Sequence, residues 1–302
     1  MGITRRLFMP LVAVMVICCH DCGAQGFLFK VMAVHGRVEV KGLDGAVTPA
    51  KVGFSLREGM TLITSENSYV ALLYKTGNVM EVKGRANHLV RELVEKLPRA
   101  KTGVTTRLVN FAISRINEVN ENPETNYKEN LRAAAGVERA LNGEIKVLLK
   151  YQDKSNIFYE NQLMIEWLPE EKADSYEVVI TDVFSEELYK TTTTNSFQII
   201  DLEQAGIADI RMFLVKVISN TGISSRLFRL ERSDDDSINE QILVDHTGKS
   251  AGEEVMLALF FEERGLYVDA LKHYQQAAQI SPDVNIYSVL KDHFITTQEL
   301  GN

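Results

Sequence analysis

The residues able to do chemistry in this chain of 302 residues stand apart from one another. Cys18, Cys19 and Cys22 lie together near the start, and Cys19-His20-Asp21-Cys22 has the C-x-x-C spacing of a redox pair. Such a pair works where a following helix N-terminus lowers a thiol pKa, and no βαβ pattern follows this one. The histidines, His20, His35, His88, His246, His273 and His293, include no H-E-x-x-H and no i, i+4 pair, so no helix face offers zinc two imidazoles. Gly248-Lys249-Ser250 ends like a phosphate-binding loop, but Leu243 occupies the place of its first glycine. Asp234-Asp235-Asp236 lacks the alternating carboxylates, turn glycine and later glutamate of a calcium loop, and reads as a solvated linker. G-x-S-x-G and G-x-G-x-x-G are absent, and Glu262-Glu263 falls on a helix face expected to be exposed. The sequence therefore predicts no catalytic residue, no cofactor and no metal ligand. An enzyme here would be a hydrolase whose residues converge only in three dimensions.

The composition excludes further classes. A chain of this length, with 45% hydrophobic and 25% charged residues, is expected to form two or three globular domains. A net charge of −8 disfavours nucleic acid and anionic membrane surfaces, both of which need a surplus of Lys and Arg. Arg5 and Arg6, the apolar run Leu7 to Cys19 and the small residue Ala24 form an export leader, predicted as a signal peptide over 1–24. The run is too short to span a bilayer, which takes about 20 apolar residues. Thr4-Arg5-Arg6-Leu7-Phe8-Met9 also matches a twin-arginine leader, so both export routes stay open. Ile17, Cys18 and Asp21 precede the cysteines, where a lipidation site takes Gly or Ala, so a soluble periplasmic or secreted protein is expected rather than a lipoprotein. Cleavage after Ala24 removes all the cysteines and leaves stability to packing.

The elements follow in blocks. Short alternating runs separated by glycines (Val31 to Val34, Arg37 to Lys41, Met60 to Thr64, Tyr69 to Tyr74, Val79 to Val82) predict an all-β module over 25–100. Leu89 to Leu97 fits helix or strand, and Leu108, Val109, Ala112, Ile113, Ile116 and Val119 predict an amphipathic helix in a connector over 101–142. Asn120 to Asn130 reads as a polar turn, and Leu131 to Leu141 as an extended or helical connection. Seven strand candidates (Ile145 to Leu149, Leu163 to Trp167, Tyr176 to Asp182, Leu188 to Thr194, Phe197 to Ile200, Met212 to Ser219, Ser225 to Leu230) predict a β-sandwich over 143–232 with Trp167 in its core. An acidic linker over 233–250 precedes helices near Glu253 to Arg264, Val268 to Ile280 and Asn285 to Thr297 in a last module over 251–302.

Three resemblances sharpen this multidomain reading. Val34-x-Gly36-x-Val38-x-Val40, Gly53-x-x-Leu56-x-x-Gly59-x-x-Leu62-x-Thr64, Ser68-x-Val70-x-Leu72 and Gly77-x-Val79-x-Glu81 together resemble the FecR domain. That resemblance implies a periplasmic β module. The cytoplasmic anti-sigma segment of the family's signalling members has no counterpart ahead of the leader. Ile165-x-Trp167-x-Pro169 with Tyr176-x-Val178-x-Ile180 resembles strands of a fibronectin type III or immunoglobulin-like domain. Ala258, Gly265, Tyr267, Ala270, Tyr274, Ala277 and Pro282 resemble one tetratricopeptide repeat. The last resemblance implies a concave face of Val255, Leu259, Glu262 and Glu263 that accepts a peptide with hydrophobic and basic side chains. The alternative is that Val255 and Leu259 bury against the sandwich, because one repeat cannot cover its own flank. The expected function is a non-catalytic interaction or sensing protein that binds a protein partner of the bacterial cell envelope, with peptidoglycan or another glycan as the alternative ligand.

Overall fold

The computed structural model describes residues 26–97, 106–121, 143–150, 156–235, 238 and 250–301. The predicted leader with its cysteines, the segment 122–142 and most of the acidic linker lie outside them. The described residues form four sheets and five helices, a β-rich chain closed by C-terminal helices. No helix among them is long and apolar enough to cross a membrane.

The N-terminal unit has eight strands: β1 (Phe29–His35), β2 (Val38–Lys41), β3 (Val47–Pro49), β4 (Ser55–Leu56), β5 (Thr61–Thr64), β6 (Tyr69–Tyr74), β7 (Val79–Lys83) and β8 (Ala86–Leu89). They pair as two four-stranded sheets, ordered β4-β1-β6-β7 and β3-β2-β5-β8. Helix α1 (Val90–Glu95) follows β8, so the ambiguous run from Leu89 is a strand end that turns into a helix. Gly36 sits in the left-handed region at φ 71°, and a Cβ there would lie 2.7 Å from the Asn67 carbonyl oxygen, so only glycine turns the chain between β1 and β2. Strand β6 explains the architecture. Val70 and Leu72 enter a core with Phe29, Val31, Val38 and Leu62, while Tyr69, Ala71 and Leu73 on the other face enter a second core shared with the helices. A continuous apolar strand is what burial on both faces requires.

The middle unit places β9 (Asn156–Phe158), β10 (Gln162–Glu166), β11 (Tyr176–Thr181), β12 (Glu187–Thr193), β13 (Phe197–Asp201), β14 (Met212–Ser219) and β15 (Phe228–Arg232) in two sheets, β12-β11-β14-β15-β9 and β10-β13. Alternating inward residues (Tyr176, Val178, Ile180; Phe213, Val215, Val217) build one core around Trp167, which is 1% exposed with its ring 5.2 Å from that of Tyr176. One strand expectation changes and one strand is added. Ile145 to Leu149 makes only a bridge from Val147 to Trp167, and β9, which pairs in parallel with β15, takes the added edge. Asn156 holds that edge by donating from its amide to the carbonyls of Lys150 and Arg229, contacts with no local sequence signature.

Helix α2 (Thr106–Glu121) matches the predicted amphipathic helix, and α3 (Ala251–Glu263), α4 (Tyr267–Ile280) and α5 (Asn285–Thr297) match the predicted C-terminal three. Ser250 caps α3 by accepting the Glu253 N–H at 3.2 Å, and Glu253 and Glu254 complement the dipole in its first turn. Helix α3 is apolar nearly all round, as befits a helix in the middle of a core. That core joins Met32, Ala33 and Leu73 of the N-terminal unit, Leu108, Ala112 and Ile116 of α2, the three C-terminal helices, and Leu148 and Met164 of the middle unit.

Candidate functional site

Three of the four residues assigned to a concave face are buried, and Glu263 is partly buried. Val255 and Leu259 are fully buried in the shared core, so they form no open groove. Glu262, expected on an exposed face, is buried. It pairs with Arg115 of α2 and accepts the Tyr274 hydroxyl at 2.6 Å. Glu263 pairs with Arg107 of α2 at 2.6 Å and with Arg264 at 3.6 Å. The side chains expected from a peptide ligand, an apolar stripe with two basic groups, are thus supplied by α2 itself. Burial pushes the Tyr274 hydroxyl pKa well up and the Glu262 charge adds to it, so the phenol stays a donor. Burial alone would lower the Arg115 pKa, but Glu262 and Glu118 reverse the sign. Beside this contact Arg107, Phe111, Arg115, Glu262, Glu263 and Gln298 line an open cleft of about 290 Å³, with both arginines paired to carboxylates.

A second cluster fastens the helices to the middle unit. Asp269, Lys272 and His273 share one face of α4 at i, i+3 and i+4. The Asp269 carboxylate accepts the backbone N–H groups of Tyr159 at 2.8 Å and Glu160 at 3.0 Å, capping the turn between β9 and β10. Lys272 pairs with the Glu160 carboxylate. His273 lies between two carboxylates, with Nδ1 2.6 Å from Glu254 Oε2 and Nε2 2.9 Å from Glu160 Oε2, and its ring stacks on Phe261 at 5.3 Å. Burial would lower the His273 pKa, yet the two carboxylates raise it and favour the imidazolium. Burial would raise the Glu160 pKa, but His273 and Lys272 bring it down to about 2. Asp269 is pushed up to about 6 by burial and by the Glu160 charge, against the pull of Lys272 and the two N–H groups. Farther along, Lys291 of α5 donates to Glu166 at 2.5 Å and to Gln275 at 2.6 Å.

A third cluster fastens the helices to the N-terminal unit. The Tyr69 hydroxyl donates to Glu81 Oε1 at 2.6 Å and lies 2.6 Å from the Tyr287 hydroxyl of α5. Glu81 Oε1 also accepts the Gly252 N–H from the first turn of α3 at 3.1 Å. Burial raises the pKa of both tyrosines, so both remain phenols and donors.

This arrangement holds parts together. A carboxylate–imidazole–carboxylate row can move protons, but here both His273 nitrogens are engaged by carboxylates, one ring face is stacked on Phe261 and the residue is buried. Among the described residues no group of three or more His, Cys, Asp or Glu is placed to hold a metal ion. Sequence reasoning missed Glu160, Glu254, Asp269, His273, Arg115 and Tyr287 as a working set. The available signal was three ionisable residues on one face of α4, the only charged or imidazole side chains in that helix. A scan against protein-family models and a search of curated proteins find no match to this chain.

Proposed function

We propose that this is an exported, non-catalytic interaction protein of the bacterial cell envelope, in which a FecR-like β unit and a fibronectin-like β unit are presented to a protein partner as one rigid body. The C-terminal helices, which resemble one tetratricopeptide repeat, serve as the core of that body rather than as an open peptide groove. One observation carries the reading: the buried ionisable groups of α3, α4 and α5 are spent on joining the two β units, through Tyr69, Glu81 and Tyr287 on one side and Glu160, Glu254 and His273 on the other. Rigid presentation lowers the ordering cost of association, which suits a binding module. Glycan binding is the second reading. It is favoured by the cleft beside Phe111, where paired charges and an aromatic face suit a neutral polyhydroxyl ligand better than an ion. Purified protein, immobilised and exposed to detergent-solubilised envelope, should retain a stoichiometric protein partner. Retention on isolated cell-wall material with no protein partner would favour the glycan reading instead.

A further inference from the structure

Helices α3 and α5 pack on β7 and β1 of the N-terminal unit and α4 packs on β9 and β10 of the middle unit, so a protein partner has the surfaces remote from these contacts to meet. The five-stranded sheet of the middle unit has β9 and β12 at its two edges. Strand β9 packs on α4, which leaves β12 and the hairpin turn that feeds it as the edge remote from the helices. That turn, 182–186, is built to hold its shape. The Asp182 carboxylate oxygen Oδ1 accepts the N–H groups of Phe184 and Glu186, both at 2.8 Å. Asp182 N–H donates to the Glu186 carbonyl at 2.9 Å, and Ser185 N–H to the Asp182 carbonyl at 3.1 Å. Ser185 takes φ 71°, a left-handed conformation that glycine adopts more easily, so the turn shape is kept at a conformational cost. At its tip Phe184 is 84% exposed beside Val183 at 47%, the most exposed large apolar side chain among the described residues. A scattered exposed apolar residue needs no explanation, but an aromatic preset on a hydrogen-bonded turn has the properties of an interface anchor.

Resting on the interaction reading above, we infer that Phe184, with Val183, is the anchor by which this protein docks into an apolar pocket of a protein partner whose rim is basic. The charge around the tip selects that occupant. Asp182, Glu186 and Glu187 surround the anchor, and although Lys190 pairs with Glu187 at 3.5 Å the tip keeps a net negative charge, which repels an anionic lipid surface and complements Lys and Arg around a pocket.

The test places the photoreactive residue p-benzoylphenylalanine at position 184 of the full chain, and separately at 43 and 227, which are exposed apolar positions on other surfaces. Irradiation of producing cells should give one discrete protein adduct from position 184. Glu186→Lys with Glu187→Lys should weaken it at least about tenfold while leaving the melting temperature of the purified protein unchanged. Adducts from 184 that consist only of lipid or of a second copy of this chain overturn the inference, as does a protein adduct indifferent to the charge reversal. Protein adducts from 43 or 227 but none from 184 overturn the anchor and leave the interaction reading standing. No protein adduct from any of the three positions overturns both.

Discussion

Tyr69 and Tyr287, 218 residues apart, share a hydroxyl-to-hydroxyl hydrogen bond of 2.6 Å that ties the last helix to a central strand of the N-terminal unit. Because Tyr69 donates onward to Glu81, Tyr287 is the donor within the pair. Tyr287→Phe leaves Tyr69 bonded to Glu81 and should cost about 1 kcal/mol, whereas Tyr69→Phe strands both the Tyr287 donor and one Glu81 contact and should cost about 2 to 3 kcal/mol. Urea unfolding of the two single variants and the double variant measures this, and the double should cost clearly less than the sum.

Glu262 is the most sensitive charge of α3. Glu262→Lys sets an ammonium against buried Arg115 and removes the acceptor of Tyr274, so stability should fall by about 3 to 5 kcal/mol, the range for breaking a buried pair. Arg107→Ala is the contrast. Its side chain is 83% exposed, and loss of its pair with Glu263 should cost about 1 kcal/mol or less. Equal melting temperatures for the two variants would show that α2 does not seat on α3 as described.

The cluster around His273 gives stability a pH profile with opposing slopes. Glu160 falls from an ordinary 4.5 to about 2, so its contribution is present above pH 4.5 and is lost as pH drops from there toward 2. His273 is raised above 6.5, so its contribution is complete below pH 6.5 and is lost as pH rises through its folded value. Asp269, raised from 3.8 to about 6, binds its proton more tightly when folded, so stability also declines between those two values as pH rises. Urea midpoints from pH 3 to 9 should flatten on the alkaline side in His273→Gln and between about pH 4 and 6 in Asp269→Asn. An unchanged alkaline slope in His273→Gln would mean that the imidazolium does not join the two carboxylates.

Gly252 tests how closely α3 approaches β7. A Cβ there would come within 2.6 Å of Val79 Cγ1. In an open helix Gly→Ala stabilises by about 1 kcal/mol, but here Gly252→Ala should destabilise by about 1 to 3 kcal/mol through overpacking. Gly252→Ala combined with Val79→Ala should recover part of that loss in thermal melts.

Trp167 is the centre of the middle unit. Trp167→Ala should cost about 3 to 5 kcal/mol, as for large core aromatics. Because its indole N–H meets no hydrogen-bond acceptor among the described residues, Trp167→Phe should cost far less, and near-ultraviolet circular dichroism should stay native-like in that variant.

Periodicity alone located most elements. The alternation in Tyr176 to Thr181 and Met212 to Ser219, the helical stripe from Leu108 to Val119 and the small residues Ala258, Ala270 and Ala277 are local patterns, and local patterns report which face of an element is apolar. They do not report what covers that face. Residue types at 262 and 263 resemble any solvated acidic pair until α2 brings Arg115 and Arg107 against them. Likewise His273 is one scattered histidine until a turn more than a hundred residues earlier delivers Glu160 to it. Strand β9 escaped notice because three residues carry too little periodicity, and its pairing depends on Asn156 finding the Arg229 carbonyl. What the sequence determined was therefore the order and inward faces of the modules. Only the tertiary structure decided that the C-terminal helices are an interior, because burial and pairing of charge depend on contacts whose partners lie far apart along the chain.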